Sequence, residues 1–380
     1  MKIGIVSQSY YPRYGGVTEH VHHTAVELRR RGHDVLIITS HFRRGEAHHS
    51  DGVERIGHNL LIPFNGAFVD LAVGLRLKSQ LRRLLGRERF DILHTHAPLV
   101  PTLPLMAIQT ADCPQVGTFH TTAGRSRMLE WARPYLAPVV ARLDARIAVS
   151  ATARDFVAQY FPGEYDVIPN GVDVERFHPE ARPFEEYVRE GRVNILFVGR
   201  LDPRKGVHHL IAAMPRLVEL TGGSVQLLIV GDSYLRPKLE ASVAARARAH
   251  VRFLGHVPIA DLPRWYATGD IFVSPASGNE SFGIVLIEAM ASGRAVVASD
   301  IPGYRSVVTP GVNAIAVPPG DEPALAEAIA ALARDPARRR ALGLHGRQRA
   351  LEFSWTRVTD RIEAVYRRVL ERRNASVPAA

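Results

Sequence analysis

A chain of 380 residues, 46% of them hydrophobic, can bury sizeable cores, and its length points to two domains. The single cysteine, Cys113, excludes an intrachain disulfide and fits a reducing compartment, and no apolar run reaches the length of a membrane span. The net charge of +10 suits an anionic partner, either nucleic acid or an acidic membrane surface, although nearly all of the basic residues are arginine, a bias spread over the whole chain; of the two, the membrane surface is the expected partner and nucleic acid is not.

The N-terminus runs straight into an apolar strand, IGIV, without a basic leader, which points to a protein that is cytosolic or peripheral to a membrane. Then come a helix over Val17 to Arg31, DVLIITS, a helix near Leu75 to Leu85, FDILHTH, QVGTFH and RIAVS. This alternation predicts a parallel sheet covered by helices on both faces. In the loop SQSYYPRYGG the pair Gly15 and Gly16 opens the first helix, where bare backbone can approach a phosphate; a tight turn would use the same pair, and the full GxGxxG is absent. The segment LRLKSQLRRLLGRER, Leu75 to Arg89, interleaves leucines with Arg76, Lys78, Arg82, Arg83 and Arg87. Such a helix either lies in an anionic headgroup layer or turns its leucines to the sheet and leaves its cations solvated. His94 and His96, two apart on a strand, could share a face, but without a third ligand no metal site is expected.

A turn-rich stretch, IPNGVDVERFHPEARPFEEY, reads as a linker. A second alternating series follows: NILFVGR, a helix from about Val207, VQLLIVGD, VRFLGHV, DIFVSPA, AVVASD and AIAVPP. Helices over Glu322 to Arg334 and Pro336 to Glu352 come next, and the last, from Trp355 to about Arg373, is long enough to return to the first domain. Two doubly wound sheets of this kind hold ligands beyond their strand ends, so a cleft between the domains is the expected site. In VGRLDPRKG, Arg200, Arg204 and Lys205 gather past a strand end as a diphosphate clamp. Lysine occurs only at positions 2, 78, 205 and 238, so Lys205 stands out against the arginine bias as a wanted point charge. No D-x-D occurs, so leaving-group charge falls on these cations and not on an aspartate-held metal.

The stretch GNESFGIVLIEAMASG carries two carboxylates around one short apolar helix that Gly293 should stop. Ser281, Phe282 and Gly283 lead into the helix, whose N-terminal N–H groups form a pyrophosphate seat. Glu280 precedes it and Glu288 lies within it. A buried Glu288 needs donors, which a ribose diol offers; an internal arginine would serve too. Carboxylate, helix N-terminus and carboxylate in that order match sugar, diphosphate and ribose, the outline of a nucleotide-sugar.

With PRYGGVTEHV, FDILHTHAP, TFHTTAGRS, RIAVS, IPNGVDVERF, FVGRLDPRKG and ESFGIVLIEAMASG on view, the chain resembles, over almost its full length, the retaining GT-B glycosyltransferases of family 4, and within them the phosphatidylinositol α-mannosyltransferases. The resemblance implies an α/β GT-B fold of two Rossmann-like domains facing across a cleft. An acceptor-side domain would span 1–172 plus the returning helix in 354–380, and a donor domain 173–353. It implies that Gly16 meets the donor β-phosphate, that Arg200 and Lys205 hold the diphosphate with Arg204 nearby, and that Val257 lies against the base. Glu280 would bind the transferred sugar beside Ser281 and the backbone of Phe282, Gly283 and Ile284, Glu288 would bind the ribose, and His120 would sit near the reacting sugar without having to be a base. His120, Glu280, Arg200 and Lys205 are the implied catalytic set, and Thr18, Phe64, Asn65 and Arg125 the implied acceptor set. Three positions depart from the mannosyltransferase pattern: Ser9 replaces a tyrosine, Thr18 a glutamine and Asp70 a basic residue.

The expected activity is transfer of a hexose, mannose from GDP-mannose, to a phosphatidylinositol-like lipid on the inner face of the cell membrane. No tightly bound cofactor is expected, with Mg2+ at most stimulatory. The alternatives are a UDP-sugar enzyme acting on a soluble inositol phosphate or sugar acceptor, a non-catalytic nucleotide-sugar binder, and a glucan phosphorylase, which would need a lysine-anchored pyridoxal cofactor.

Overall fold

The computed structural model describes residues 1–42, 49–64 and 67–375, and the chain divides into two compact units, Met1–Gly171 with Trp355–Ala380, and Val172–Ser354. Unit 1 runs β1 (Lys2–Val6), α1 (Gly16–Arg30), β2 (Asp34–His41), β3 (His49–Ser50), β4 (Val53–Phe64), β5 (Ala67–Val73), α2 (Leu77–Glu88), β6 (Ile92–His96), α3 (Leu103–Thr110), β7 (Gln115–Phe119), α4 (Arg127–Val140), β8 (Ala145–Ala148), α5 (Ala151–Ala158) and β9 (Asp166–Val167). Unit 2 runs β10 (Val193–Val198), α6 (Val207–Leu220), β11 (Val225–Val230), α7 (Arg236–Ser242), β12 (Val251–Gly255), α8 (Leu262–Thr268), β13 (Ile271–Ser274), α9 (Ile284–Ala291), β14 (Ala295–Ser299), β15 (Ile315–Val317), α10 (Glu322–Arg334) and α11 (Pro336–Leu351). The last helix, α12 (Trp355–Ala375), belongs to unit 1.

The sheet of unit 1 has nine strands in the order β3-β4-β2-β1-β6-β7-β8-β9, with β5 on β4. All its pairings are parallel except β3/β4 and β4/β5. Strand residues alternate between faces, and the two faces bury different helices. Ile3, Ile5 and Ile37 pack against Val21, Ala25 and Leu28 of α1 and against Trp355, Ile362 and Tyr366 of α12. Val6, Leu36 and Ile38 pack against α2 and α3, and α4 and α5 continue that layer. The antiparallel β4–β5 pair was not read from the sequence, although Asn65-Gly66 between two alternating runs is a hairpin signal.

In unit 2 six parallel strands run β12-β11-β10-β13-β14-β15. The order reverses between β10 and β13, and at that crevice a doubly wound sheet presents its carboxyl ends to a ligand. The continuous apolar runs at β10, β11 and β13 follow from burial on both faces. Caps set the helix starts where the sequence offers them: the side chains of Asp321 and Asp335 accept from the N–H groups of Ala324 and Arg338, each at 2.9 Å.

Candidate active site

The two loops that leave the switch point of unit 2 carry the residues singled out in its sequence. After β10 the chain passes Arg200, and Asp202 opens a short 3-10 turn over Pro203–Lys205 by accepting from the Arg204 N–H at 2.9 Å. Asp202 also collects the two guanidinium groups, Arg204 at 3.1 Å and Arg200 at 3.4 Å, so it holds the cations of the clamp at one strand end. It was overlooked in the sequence, although Asp followed by Pro is a helix-start signature. The loop after β13 is tied to this one where the Ser277 N–H donates to the Arg204 carbonyl at 2.9 Å.

That tie brings Lys205 to Glu280. Lys205 Nζ donates to both carboxylate oxygens, 2.9 Å to Oε1 and 3.0 Å to Oε2, with the two side chains 24% and 13% exposed. The residues expected to hold diphosphate and sugar are thus each other's counter-ions. Beneath them Gly303 approaches the backbone so closely that a Cβ there would lie 1.7 Å from the Glu280 carbonyl oxygen. Tyr304, its Oη 2.7 Å from Ser274 Oγ, packs under the start of α9; burial, then the Glu280 charge, push its phenol up, so it stays a neutral hydrogen-bonding group.

Helix α9 begins at Ile284 with Gly283 as its cap, and Gly293 follows its end in the left-handed region. Phe282 is buried with its ring 5.6 Å from that of Phe353, so only the backbone of this residue faces a ligand approaching the N-terminus; Ser281 and Ile284 are half-buried. Glu288 is 6% exposed, and the Tyr266 hydroxyl donates to its Oε2 at 2.7 Å. Val257 is half-buried just beyond β12, on the same carboxyl edge of the sheet.

In unit 1 the carboxyl ends of β1, β6 and β7 gather four histidines: His20 from α1, His94 and His96 from β6, and His120 just past β7. His94 and His96 do share a face, with ring centroids 4.3 Å apart. His94 is held by Tyr366 Oη and Thr118 Oγ1, each at 2.6 Å. His20 Nδ1 donates to Asn170 Oδ1 at 2.9 Å, and His96 Nδ1 lies 2.9 Å from His120 Nε2. His96 Nε2 is buried with no hydrogen-bond partner among the described residues. The network therefore assigns the His96 proton to Nδ1, donated to His120 Nε2, because the other tautomer would bury an orphaned N–H. His120 then carries its own proton on Nδ1. Burial, then His20 and His94, hold its pKa well below that of an ordinary histidine. A ring so disfavoured as a cation is a weak base.

Gly16 opens α1 beside this cluster. Thr18 is buried, and its hydroxyl donates to the Arg13 carbonyl at 2.9 Å, so it shapes the preceding loop. Asp70 is 5% exposed and accepts from Ser9 Oγ at 2.6 Å, Asn59 Nδ2 at 2.6 Å and the Arg13 guanidinium. Two of the three departures, Ser9 and Asp70, thus bind each other, and Arg13 neutralises the carboxylate. Arg125 pairs with Glu130 at 2.5 Å on an exposed loop. Asn65 lies outside the described residues, as does the side chain of Phe64.

Residues 14–176 match the family described as Glycosyltransferase Family 4, and residues 192–335 match Glycosyl transferases group 1. A phosphatidyl-myo-inositol mannosyltransferase from Mycolicibacterium smegmatis is 36% identical over 97% of this chain and 94% of its own. One from Mycobacterium tuberculosis is 37% identical, over 97% of both chains. The chain belongs to glycosyltransferase family 4. Its fold is GT-B, as in HepE from Anabaena in complex with UDP, which has a TM-score of 0.76 and 21% identity over 96% of this chain and 99% of that one.

No helix among the described residues of the transferase is long and apolar enough to cross a membrane. In α2 the sequence offered two readings, and Leu77, Leu81 and Leu84 are core residues while Arg76, Lys78, Arg82 and Arg83 are exposed. Most of these leucines are spent on the sheet, while Leu75, just ahead of the helix, is 93% exposed, so apart from Leu75 the helix offers a surface mainly its charge.

The histidine cluster makes a pH prediction. Burial lowers His20 to about 4 and His94 to about 3. Since the unfolded chain takes up these protons near the ordinary value of about 6.5 and the folded one does not, stability falls as pH drops through that value, until the folded values are reached. Each such histidine contributes a slope of about 1.4 kcal/mol per pH unit. Thermal unfolding followed between pH 7.5 and 4.5 should show a midpoint that falls below pH 6.5; a flat midpoint would contradict a neutral buried cluster.

Proposed function

We propose that this glycosyltransferase moves a mannosyl group from GDP-mannose to phosphatidyl-myo-inositol at an anionic membrane surface, with retention of configuration. The near-full-length identity to two transferases named for that acceptor and sugar carries the reading. The order of Glu280, the α9 N-terminus and Glu288 supports it chemically. The diphosphate enters at the helix N-terminus and draws Lys205, Arg200 and Arg204; Lys205 then leaves Glu280, whose freed carboxylate accepts from hydroxyls of the sugar. Glu288, with Tyr266 on one oxygen, accepts from the ribose. The acceptor hydroxyl forms its bond to the anomeric carbon on the face from which the diphosphate departs, and its proton passes to the leaving phosphate oxygen. The weak basicity of His120 supports that proton route, with the ring left to position the sugar through Nδ1–H.

An open negative charge at Asp70, in place of the basic residue of the mannosyltransferase pattern, would repel a phosphorylated lipid acceptor. Burial, and pairing with Arg13, Ser9 and Asn59, remove that objection. The test is a panel of GDP-mannose, GDP-glucose, UDP-glucose and UDP-galactose against phosphatidyl-myo-inositol and myo-inositol 1-phosphate, with products read by mass spectrometry. One hexose added to the lipid from GDP-mannose is the expected result. Transfer from UDP-sugars alone, or to the soluble acceptor alone, would replace this reading, and binding without turnover on any acceptor would make the protein a nucleotide-sugar binder.

A further inference from the structure

Helix α4 buries Leu129, Val139 and Val140 in the core of unit 1, yet its other face leaves Met128, Trp131 and Tyr135 exposed by 55, 77 and 73%. At i, i+3 and i+7 these three share one side of the helix, and the Trp131 and Tyr135 ring centroids are 6.1 Å apart. A contiguous aromatic ridge in water is costly and marks a surface that something covers. Its surroundings say what. Arg127 and Arg133 flank the ridge, and at its foot opens a cavity of about 440 Å3 lined by Arg125, Glu130, Arg133, Gln159 and Tyr160, where Arg125 is paired with Glu130 and Arg133 leaves a net positive charge. Trp and Tyr combine an apolar body with a polar tip and settle at the glycerol level of a bilayer, where phosphates lie one layer above. Helix α3 packs against both α2 and α4, so the exposed cations of α2 lie on the same side of the sheet.

We propose that α4 is the membrane-inserting element of this protein. Met128, Trp131 and Tyr135 enter the glycerol–acyl boundary of an anionic bilayer, the recess beside Arg133 takes a phospholipid phosphate, and the exposed cations of α2 add long-range attraction. The inference rests on the lipid-acceptor reading for its reason to approach a bilayer, and its readout is independent of turnover. Trp265 and Trp355 are 7% and 6% exposed, so solvent-sensitive tryptophan emission reports Trp131.

The experiment mixes the full chain with phosphatidylcholine vesicles, with and without phosphatidylglycerol, and follows co-sedimentation and tryptophan emission. Emission should move to shorter wavelength on the anionic vesicles and be quenched by brominated acyl chains. Changing Trp131 and Tyr135 to serine should weaken vesicle binding on the order of tenfold or more, while changing Arg76, Lys78, Arg82 and Arg83 to serine should reduce the salt sensitivity and keep the emission shift. Unchanged emission on bound vesicles, equal binding by the Trp131→Ser/Tyr135→Ser variant, or no vesicle binding at all would overturn the proposal. So would a change of oligomeric state in that variant with vesicle binding intact, since the ridge would then be a contact between copies. Transfer separates the two readings: the variant should keep activity on a short-chain, soluble phosphatidylinositol and lose it on vesicle-embedded lipid. If the parent protein transfers to neither, the acceptor reading falls while the emission shift still decides the role of α4.

Discussion

Glu280→Ala should lower kcat by about 10²–10³-fold, the scale for losing one preorganised charged contact to the reacting group, while nucleoside diphosphate binds as tightly as before or more tightly. The second half comes from the pairing with Lys205. Nζ donates to both Glu280 oxygens, so a diphosphate must draw the lysine away. Removing the carboxylate removes that competition. Glu288→Ala should behave in the opposite way, weakening diphosphate binding by roughly 1–3 kcal/mol, because it deletes a charged acceptor for the ribose and leaves the Tyr266 hydroxyl without it. Calorimetric titration of both variants with nucleoside diphosphate, with folding checked by circular dichroism, separates these roles. Equal affinity losses in two folded variants would sink the assignment.

Gly206→Ala should destabilise unit 2 by about 3 kcal/mol or more and abolish diphosphate binding. Gly206 stands in the left-handed region at φ 71°, and a Cβ there would lie 1.8 Å from the Pro275 carbonyl oxygen. That contact is backbone on backbone, so no rotamer relieves it. The two loops of the site would separate, taking Lys205 from Glu280. Gly191→Ala is the control, since Gly191 has φ 73° and open space around it, so only the backbone strain of roughly 1–2 kcal/mol applies. Urea unfolding of the two variants should differ clearly; similar losses would mean that the close approach at Pro275 relaxes at little cost.

The order of strands and helices was legible in the sequence because each central strand is a short apolar run and each amphipathic helix follows its own period, both of which are local properties. The helix at Glu288 could be read from its apolar composition and from Gly293, whereas the switch between β10 and β13 is set by strand pairing that alternation does not specify. What the sequence determined by itself was therefore the central strands and the main helices, that two doubly wound sheets are built, and that Arg200, Lys205 and Glu280 lie in loops past strand ends while Glu288 lies within a short apolar helix. Only the tertiary structure decided who meets whom. Lys205 and Glu280 are 75 positions apart and become counter-ions because Gly206 and Ser277 let two loops touch. Asp70 reads as an unfavourable charge until the fold carries Ser9, Arg13 and Asn59 to it, and His96 reads as a strand residue until β7 sets His120 beside it. The leucines of α2 and the aromatic residues of α4 make the same point. Both segments are amphipathic in sequence, and periodicity specifies a face without specifying what covers it, since burial depends on the neighbouring elements.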